Sequence, residues 1–365
     1  MLSVNIKKKI DDNANGFALD VEFTAPPGVT ILFGASGSGK TMTLKSIAGI
    51  VRPDAGRIQV AGQTLFDAAT GVDLPIRKRG VGYLFQNLAL FPHLSVRENV
   101  EFGMAGLSRA ERRRRSAAMM EAFRIGHTAE RKPRDISGGE AQRAALARAL
   151  SCQPRILLLD EPLSAIDEAT KLGIIADLKA LNRDLRLPII YVTHSREEAV
   201  TLGERLIVYE RGRVVAQGEP LEIFASPATI SVARLTGVEN LFDAVVLSQN
   251  QTGGTMRVEV ADASGSCPLD VPFGRSSLGD RVKVAVPAGD ILLATAEPRH
   301  TSARNILRGR ILSIEDKGNR IVARVHSGVT WSVSLTRQAV ADLQLAEGQE
   351  VWLAIKTHSC YLLDR

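Results

Sequence analysis

The sequence predicts two structural parts: an α/β domain with a mostly parallel sheet over residues 1–237, followed by an all-β domain of small barrels. In the first part, short apolar runs alternate with helical patterns, which is typical of a sheet covered by helices on both faces. After residue 238, alternating strands broken by Gly and Ser replace these patterns and indicate small β-barrels. The second part also repeats its own pattern, which predicts two related units.

Length and composition exclude several classes of protein. The chain has 365 residues, enough for two or three domains. Its 45% hydrophobic and 24% charged residues exclude disordered and collagen-like chains. The net charge of +6 is small and dispersed, so we expect no nucleic acid as a partner.

Cysteine usage and hydropathy favour the cytosol. Cys152, Cys267 and Cys360 are too far apart in sequence for a CxxC pair, which suits a reducing compartment. The first residues lack the apolar core of a signal peptide, and no apolar run approaches the ~18–20 residues that span a membrane. We therefore expect a cytosolic protein, or one attached to a membrane through a partner.

The individual elements follow from apolar runs and their spacing. In the first part, buried strands are predicted over 29–33, 80–85, 155–160, 187–192 and 205–209. Helices are predicted from Lys40 onward, over 140–150 and over 168–185. In the second part, period-two patterns predict strands over 256–260, 281–286 and 320–325, with one helix over 337–345.

The repeat divides the second part into residues 238–297 and 298–365. Residues 279–286 match 348–355 in pattern, and residues 238–242 match 303–307. The first unit carries four basic and eight acidic residues, whereas the second carries ten basic and six acidic residues. The two units therefore have opposite net charge.

A glycine-rich loop predicts a nucleotide site. Residues 34–41, GASGSGKT, follow a predicted strand, open a predicted helix and fit the pattern GxxxxGK[ST]. The loop glycines allow backbone N–H groups to close around phosphate oxygens. Lys40 is expected to reach the β- and γ-phosphates, and the Thr41 hydroxyl to take a Mg²⁺ coordination position.

Two acids at the end of a buried strand complete this chemistry. Asp160 and Glu161 follow the apolar run 156–159. A buried carboxylate at that place needs a cationic or hydrogen-bonding partner, and beside a phosphate loop Mg²⁺ is the natural partner of Asp160. Glu161 is placed to deprotonate the water that attacks the γ-phosphate.

A second glycine-rich turn precedes another predicted helix. Residues 137–142 read SGGEAQ, which predicts Ser137 as an N-cap with Glu140 as its capping-box partner. The same turn can serve as a second anion cradle. Because one phosphate chain rarely needs two cradles, this one is expected to serve a nucleotide bound by another subunit.

Six motifs in this order resemble the ATP-binding subunit of an ABC transporter. They are Walker A (34–41), the Q-loop glutamine Gln86, an LSGGQ-type signature (136–140), Walker B (156–161), the D-loop (164–167) and the switch histidine His194. Ile136 and Ile166 replace the usual leucines. The resemblance implies a P-loop ABC ATPase domain, with a helical subdomain over 86–135 that grips the transmembrane subunits near residues 88–94.

The resemblance also implies roles for individual residues. It implies a head-to-tail homodimer with ATP–Mg²⁺ at the interface, Glu161 as base, His194 on the γ-phosphate and Gln86 linking Mg²⁺ to the permease. The Mg²⁺ ligands would be Thr41, Gln86 and Asp160. Phe17 would stack on adenine, although a core position is an open alternative. The nucleotide-contacting set comprises Gly34, Ala35, Ser36, Gly37, Ser38, Gly39, Lys40, Thr41, Thr43 and Phe17, with Ser137, Gly138, Gly139 and Asp167 approaching the second subunit's ATP.

The second part narrows the kind of transporter. Importers of sugar, polyamine, sulfate and molybdate carry β-rich tails, and residues 301–310 with 353–356 resemble the molybdate-binding Mop domain, of the TOBE type, with OB-like barrels. Ser302, Arg304, Asn305, Lys356 and Ser359 supply the charges and hydroxyls that a tetrahedral dianion such as molybdate or tungstate needs. Alternatively, Arg304 and Lys356 are ordinary solvent-facing charges.

These implications define the expected function. It is an ATPase on the cytoplasmic face of the inner membrane, bound peripherally to two permease subunits and, through them, to a substrate-binding protein. The predicted cargo is molybdate, with bound oxyanion regulating the ATPase. Sulfate, sugar or polyamine import, a soluble ABC ATPase and a non-enzymatic molybdate-binding protein are the alternatives. The run Arg112–Arg115 is interpreted as a solvated helix face, with a nucleic-acid patch as its alternative.

Overall fold

The structure, a computed structural model, describes residues 1–10, 17–104, 106–164, 166–225, 227, 229–318 and 320–363. It contains two compact units, residues 1–223 and 224–365. The sequence placed the boundary later, after residue 237. The reason for the difference is the helix Ile230–Leu235, whose Ala233 packs with Ala285 and Leu363 of the second unit.

The elements of the first unit are numbered along the chain. Its strands are β1 (Leu2–Ile10), β2 (Phe17–Ala25), β3 (Gly28–Gly34), β4 (Ala55–Val60), β5 (Gln63–Asp67), β6 (Val72–Asp73), β7 (Val81–Leu84), β8 (Ile156–Asp160), β9 (Pro188–Thr193), β10 (Arg205–Glu210) and β11 (Arg213–Gly218). Its helices are α1 (Lys40–Ala48), α2 (Val96–Glu101), α3 (Arg109–Ala122), α4 (Gly138–Ser151), α5 (Glu168–Leu185) and α6 (Arg196–Leu202), and α7 (Pro220–Ala225) crosses the unit boundary.

The described strands of this unit form one mixed sheet in the order β6-β5-β4-β1-β2-β11-β10-β3-β9-β8-β7. The run β10-β3-β9-β8-β7 is parallel, as the sequence predicts. The strands β6, β5, β4, β1 and β2 pair antiparallel with one another, and β2 also pairs in parallel with β11. Hairpin connections rather than helical crossovers join β1 to β2 and β4 to β5, which is why this half is antiparallel.

The parallel half positions the predicted motifs. Every described residue of β3, β8 and β9 is buried, as expected of strands covered on both faces. Because neighbouring parallel strands end at the same edge, the residues that follow them come together there. Those residues are the glycine-rich loop after β3, Glu161 after β8 and His194 after β9.

Helices α2 and α3 occupy the predicted helical subdomain. The arginine run lies on α3, where Glu111 pairs with Arg114 at 2.9 Å and with Arg115 at 2.7 Å. Both pairs are one helical turn long and at the surface, which fits the solvated face that the sequence predicts. Among the described residues, no helix is both long and apolar enough to cross a bilayer.

The second unit is built mainly from strands. They are β12 (Asn240–Asn250), β13 (Thr255–Asp262), β14 (Gly265–Pro272), β15 (Arg281–Val286), β16 (Ile291–Ala294), β17 (Asn305–Asp316), β18 (Ile321–Ser327), β19 (Val329–Leu335), β20 (Glu350–Ile355) and β21 (Tyr361–Leu363). Its helices are α8 (Ile230–Leu235) and α9 (Arg337–Asp342), the latter three residues shorter than predicted because Leu343 ends it as the C-cap.

These strands form two sheets, and each sheet includes one strand from the other predicted unit. One sheet has the order β14-β13-β12-β15-β21, and the other has the order β16-β20-β17-β18-β19. Strand β16, within the predicted first unit, pairs with β20, and β21, from the predicted second unit, pairs with β15. The predicted repeat is therefore visible as two matching sheets, but a cut at residue 297 would remove β16 from the second sheet.

Two asparagines tie these sheets together reciprocally. Asn240 at the start of β12 donates to Ser332 O at 2.9 Å and accepts from Ser332 N at 2.6 Å. Asn305 at the start of β17 donates to Asp270 O at 2.9 Å and accepts from Asp270 N at 2.7 Å. We call the surroundings of Asn240 the first junction and those of Asn305 the second junction.

Candidate active site

The glycine-rich loop has a backbone that only glycine adopts easily. Gly34 and Gly39 have φ of 151° and 107°, both in the region that L side chains avoid. A Cβ at Gly34 would also lie 2.4 Å from Tyr209 O, and a Cβ at Gly39 would lie 2.7 Å from Leu19 Cδ1. The loop is therefore fixed both by its dihedrals and by close packing against β10 and β2.

Lys40 is folded back onto this loop. Its Nζ donates to Gly34 O at 2.9 Å, to Ala35 O at 2.8 Å and to Ser38 Oγ at 3.3 Å. The residue is 5% exposed, and burial lowers the pKa of its amine, opposed by the nearby Glu161 and Asp160 carboxylates. Lys40 is thus a buried cation whose present acceptors are carbonyl oxygens of the glycine-rich loop. Phosphate oxygens are stronger acceptors for such a cation and are able to replace these carbonyls.

Asp160 forms a site that suits Mg²⁺. Its Oδ1 accepts from Thr41 Oγ1 at 2.9 Å, and its Oδ2 accepts from Tyr83 OH at 3.1 Å. Burial raises the pKa of Asp160, while the two hydroxyl donors act in the opposite direction. A buried carboxylate held by hydroxyls, beside a phosphate loop, fits an ion that prefers few carboxylates plus phosphate oxygens. The sequence did not identify Tyr83.

Glu161 and His194 face each other across the ends of β8 and β9. Glu161 Oε2 lies 3.6 Å from His194 Nδ1. The backbone of Glu161 is left-handed, with φ of 47°, and its N–H donates to Val192 O at 3.2 Å. A non-glycine residue in this region costs about 1–3 kcal/mol and is typical of functional positions. The strain turns the carboxylate out of the strand toward the histidine.

One cleft brings most of the predicted nucleotide-contacting residues together. It encloses about 520 Å³ and is lined by Phe17, Ser36, Gly37, Ser38, Gly39, Lys40, Thr41, Met42, Gln86 and Glu161. This volume lies in the ordinary range of ligand pockets. Phe17 also packs against the loop, since a Cβ on Gly39 would lie 3.1 Å from its ring.

Thr43 is absent from the residues that line this cleft. Its hydroxyl donates to Gly39 O at 3.0 Å, and the residue is fully buried in the first turn of α1. The Thr43 hydroxyl therefore helps to hold the loop, and its contact with nucleotide stays a prediction.

A buried carboxylate that the sequence reasoning missed supports the switch histidine. Glu198 accepts from Thr193 Oγ1 at 2.7 Å and from Tyr191 OH at 2.9 Å, and it pairs with Lys171 Nζ at 3.0 Å. Thr193 Oγ1 in turn accepts from the N–H of Ser195 at 2.9 Å. Residues on both sides of His194 are thus fixed to one carboxylate, which is linked by Lys171 to α5.

The signature turn has the predicted capping geometry. Ser137 Oγ accepts from Glu140 N at 3.3 Å, and Ser137 N donates to Glu140 Oε2 at 2.8 Å. His127 Nε2 lies 2.7 Å from Glu140 Oε1. The Ser137 N–H, then His127 and the Ser137 hydroxyl lower the pKa of Glu140 to about 2. The predicted capping box is therefore confirmed.

This turn packs against the start of α5 rather than against its own chain's glycine-rich loop. A Cβ on Gly139 would lie 2.5 Å from Thr170 Cγ2, and the Thr170 N–H donates to Asp167 Oδ1 at 3.0 Å. Among the described residues, none of 137–139 lines the nucleotide cleft. Asp167 thus caps α5 beside the signature turn, while Ala165 of the predicted D-loop lies outside the described residues.

Two arginines missed in the sequence hold the surroundings of the site. Arg148 of α4 donates to Leu88 O at 2.7 Å and to Ala89 O at 2.6 Å, where both residues have positive φ, 58° and 46°. Arg148 therefore connects the signature helix to the segment after Gln86. Arg79, 1% exposed, donates to Ser46 O and Ile47 O at 2.9 Å each and anchors the end of α1.

The predicted oxyanion residues lie around the second junction and differ in how they are used. Arg304 and Lys356 are exposed, and within the described residues neither side chain makes a hydrogen bond or ion pair. Asn305 is 5% exposed, and its side chain bonds Asp270 and Ile355 O, which holds the junction together; its contact with an oxyanion stays a prediction. Ser302 is exposed and Ser359 is half-buried.

Thr357 is a further polar group at this junction. It directly follows Lys356 and is 8% exposed, and its Oγ1 has no hydrogen-bond partner among the described residues. A buried hydroxyl without a partner costs free energy unless a ligand or water satisfies it. The sequence signal that identifies it is its place next to Lys356 in the repeat.

Comparisons with known proteins agree with this geometry. The family model of the ABC transporter matches residues 19–164, and that of the TOBE domain matches residues 301–362. The molybdenum import ATP-binding protein ModC of Methylococcus capsulatus is 40% identical over 347 residues, 94% of this chain and 95% of that protein. The molybdate/tungstate import ATP-binding protein WtpC of Pyrococcus abyssi is 37% identical over 90% of each chain.

A solved structure of an ATP-binding cassette also matches the α/β part of the chain. A dimeric ATP-binding cassette in a post-hydrolysis state, bound to ADP and phosphate, is 28% identical, with a TM-score of 0.54; the match covers 60% of this chain and 99% of that one. The motif order, the cleft and relatives that match nearly the whole length together show that this chain belongs to the ABC transporter family, among its import ATP-binding proteins.

Proposed function

We propose that this protein hydrolyses ATP to energise the import of molybdate, with tungstate as a second cargo, through a membrane transporter. The observation that carries the proposal is that one cleft is lined by Lys40, Thr41 and Glu161. Asp160 accepts a hydrogen bond from Thr41, and His194 lies 3.6 Å from Glu161. Relatives named as molybdenum and molybdate/tungstate import ATP-binding proteins support the cargo.

Each residue has a distinct task in this proposal. Lys40 releases Gly34 O and Ala35 O and binds the β- and γ-phosphates. Thr41, Asp160 and Gln86 hold Mg²⁺, which neutralises charge on the phosphate oxygens. Glu161 takes the proton from the attacking water, and His194, 3.6 Å away, contacts the γ-phosphate.

Phe17 and the loop between Gly34 and Thr41 bind the rest of the nucleotide. Phe17 lies at the cleft beside Gly39, where a flat ring can stack on adenine. The loop residues Ala35, Ser36, Gly37 and Ser38 surround the phosphates with backbone N–H groups.

The active assembly in this proposal is a head-to-tail homodimer. Ser137, Gly138 and Gly139 stand outside the cleft of their own chain, and α4 exposes the signature turn at its first residues. The dimer places this turn, with Asp167 nearby, on the partner's ATP. The related cassette is dimeric, which supports this arrangement.

The transmembrane partners belong to the proposal as well. Two permease subunits bind at the helical subdomain, where Phe102 is 58% exposed and Phe91 packs on it at 4.3 Å between ring centres. A substrate-binding protein delivers the oxyanion to the permease from outside. The ATPase then lies peripherally on the cytoplasmic face of the inner membrane.

The second junction serves as a regulatory oxyanion site. Arg304 and Lys356 supply two cations without intramolecular partners among the described residues, and Ser302, Thr357 and Ser359 supply hydroxyls. A tetrahedral dianion needs this combination of charge and donors. Bound oxyanion signals that the cell is replete and lowers ATP turnover.

Transport by the reconstituted complex tests the cargo. The chain is co-purified with its permease and binding protein, placed in liposomes, and given radiolabelled molybdate, tungstate or sulfate with ATP. The proposal predicts ATP-dependent uptake of molybdate and tungstate. Uptake of sulfate in preference to molybdate, or no uptake of any of the three oxyanions, would contradict the cargo, and failure to bind any permease would favour a soluble ABC ATPase.

Calorimetric titration of the full-length protein tests the regulatory site. Because β16 completes the second sheet, the full chain is used rather than residues 298–365 alone. Molybdate is expected to bind and to lower ATP hydrolysis, and Arg304→Ala with Lys356→Ala is expected to abolish both effects. Equal binding by that double variant would contradict the site.

A further inference from the structure

The two junctions of the second unit have equivalent backbones but opposite charges. Glu239 precedes Asn240 as Arg304 precedes Asn305, and Pro287 follows Val286 as Lys356 follows Ile355. Pro287 has φ −61° and ψ 136°, and Lys356 has φ −70° and ψ 143°. Each is followed by a short 3₁₀ turn, so the chain takes the same course at both junctions.

The first junction contains a carboxylate from the chain itself. Glu239 Oε2 accepts from the N–H of Ala288 at 3.2 Å, and Glu239 Oε1 pairs with Arg320 Nη1 at 2.9 Å. The Glu239 side chain is 23% exposed, so most of it is enclosed by the junction. An anion therefore already lies between a backbone donor and an arginine at this place.

The second junction has the corresponding groups without such an anion. By the repeat, Thr357 corresponds to Ala288, and within the described residues no carboxylate accepts from Thr357. The residue is 8% exposed, and its buried hydroxyl has no partner among the described residues. Arg304, which corresponds to Glu239, is exposed and unpaired in the same described part of the chain.

We propose that the Glu239 carboxylate acts as a built-in anion that fills the first junction, so that each chain binds one tetrahedral oxyanion, at the second junction only. This inference rests on the proposed regulatory site and adds its stoichiometry. The first junction always contains the Glu239 carboxylate, whereas the second junction contains an anion only when an oxyanion binds. Glu239 in place of Arg304 and Pro287 in place of Lys356 account for three of the eight charges by which the two repeats differ.

The experiment exchanges the charges of the first junction in the full-length protein. Glu239→Arg with Pro287→Lys gives the first junction the two cations of the second, and Pro287 already has the backbone angles of Lys356. Asp243→Arg, on β12 just after Glu239 but paired with Lys283 instead, is the control for the two positive charges that Glu239→Arg adds. Calorimetric titration with molybdate counts bound oxyanions per chain, and thermal unfolding without molybdate verifies that each variant is folded.

The wild type and the control are expected to bind one molybdate per chain, and the double variant two. Wild-type binding of two would overturn the built-in anion and leave the regulatory site standing. No binding by the wild type with one gained in the variant would overturn the regulatory site and the stoichiometry, and would leave Glu239 as the built-in anion of the first junction. No gain in a folded variant would overturn the inference.

A milder change covers the case in which the double variant does not fold. Glu239→Gln keeps the size of the side chain and removes its charge, leaving Arg320 to attract an external anion. We expect a second, weaker molybdate binding event in this variant. A single event identical to that of the wild type would count against the inference.

Discussion

Replacing Glu198 with glutamine tests how the switch histidine is held. The change keeps the side-chain size but removes the charge that faces Lys171 Nζ at 3.0 Å and that accepts from Tyr191 and Thr193. The side chains of Glu198 and Lys171 are 6% and 13% exposed, so water replaces these interactions poorly. Hydrogen bonds to charged groups and a broken buried pair together predict a loss of about 3 kcal/mol.

Unfolding and hydrolysis measured together separate stability from positioning. For a unit of this size the loss corresponds to a melting temperature lower by about 6–12 °C. Below that temperature, kcat for ATP hydrolysis is expected to fall more than KM rises, because Glu198 supports His194 and lies outside the nucleotide cleft. Lys171→Met added to Glu198→Gln removes the buried charge and is expected to restore at least about 1 kcal/mol.

Two results would refute this reasoning. One is unfolding of Glu198→Gln within about 0.5 kcal/mol of the wild type, which is the range of ordinary surface changes. The other is a double variant no more stable than the single one, because the two side chains would then be uncoupled.

Three further predictions concern residues around the site. Arg79→Ala removes the buried guanidinium that donates to Ser46 O and Ile47 O and pairs with Asp73, and it should cost about 3–5 kcal/mol in urea unfolding, with a loss below about 1 kcal/mol as the contrary result. The pKa of Glu140, lowered from 4.5 to about 2, means that its stabilisation is complete above pH 4.5 and is lost as the pH falls toward 2. Glu140→Gln, which keeps the capping box, should flatten the stability profile in that window; an unchanged slope would contradict the assignment. Arg148→Met removes the donors to Leu88 O and Ala89 O. It should leave basal hydrolysis intact and weaken the stimulation of hydrolysis by the permease. Full stimulation would contradict the link between α4 and the segment after Gln86.

Local sequence patterns predicted many of the residues that line the cleft, because its motifs are contiguous. The residues from Gly34 to Thr41, the pair Asp160 and Glu161, and the Ser137 capping box each depend on near neighbours in the chain. The apolar runs before them are buried strands of the parallel half, as predicted. Because these strands are parallel neighbours, the motif residues that follow them lie at one edge of the sheet.

The features that the sequence did not predict depend on distant pairings. Arg79 and Arg148 bond to carbonyls 32 and 60 residues away in the chain, and no periodic pattern identifies such partners. The exchange of β16 and β21 between sheets is equally non-local. Asn305 was expected to contact an anion because its residue type allows it, but only the fold shows that Asp270 engages it.

Glu161→Gln tests the central claim that this cleft hydrolyses ATP with Glu161 as the base. The substitution keeps the size of the side chain beside His194 and removes its ability to accept a proton. Steady-state hydrolysis and retained radiolabelled ATP are measured on the same purified protein. We expect loss of turnover with two ATP molecules trapped in a stable dimer, whereas turnover at the wild-type rate would show that Glu161 is not the base.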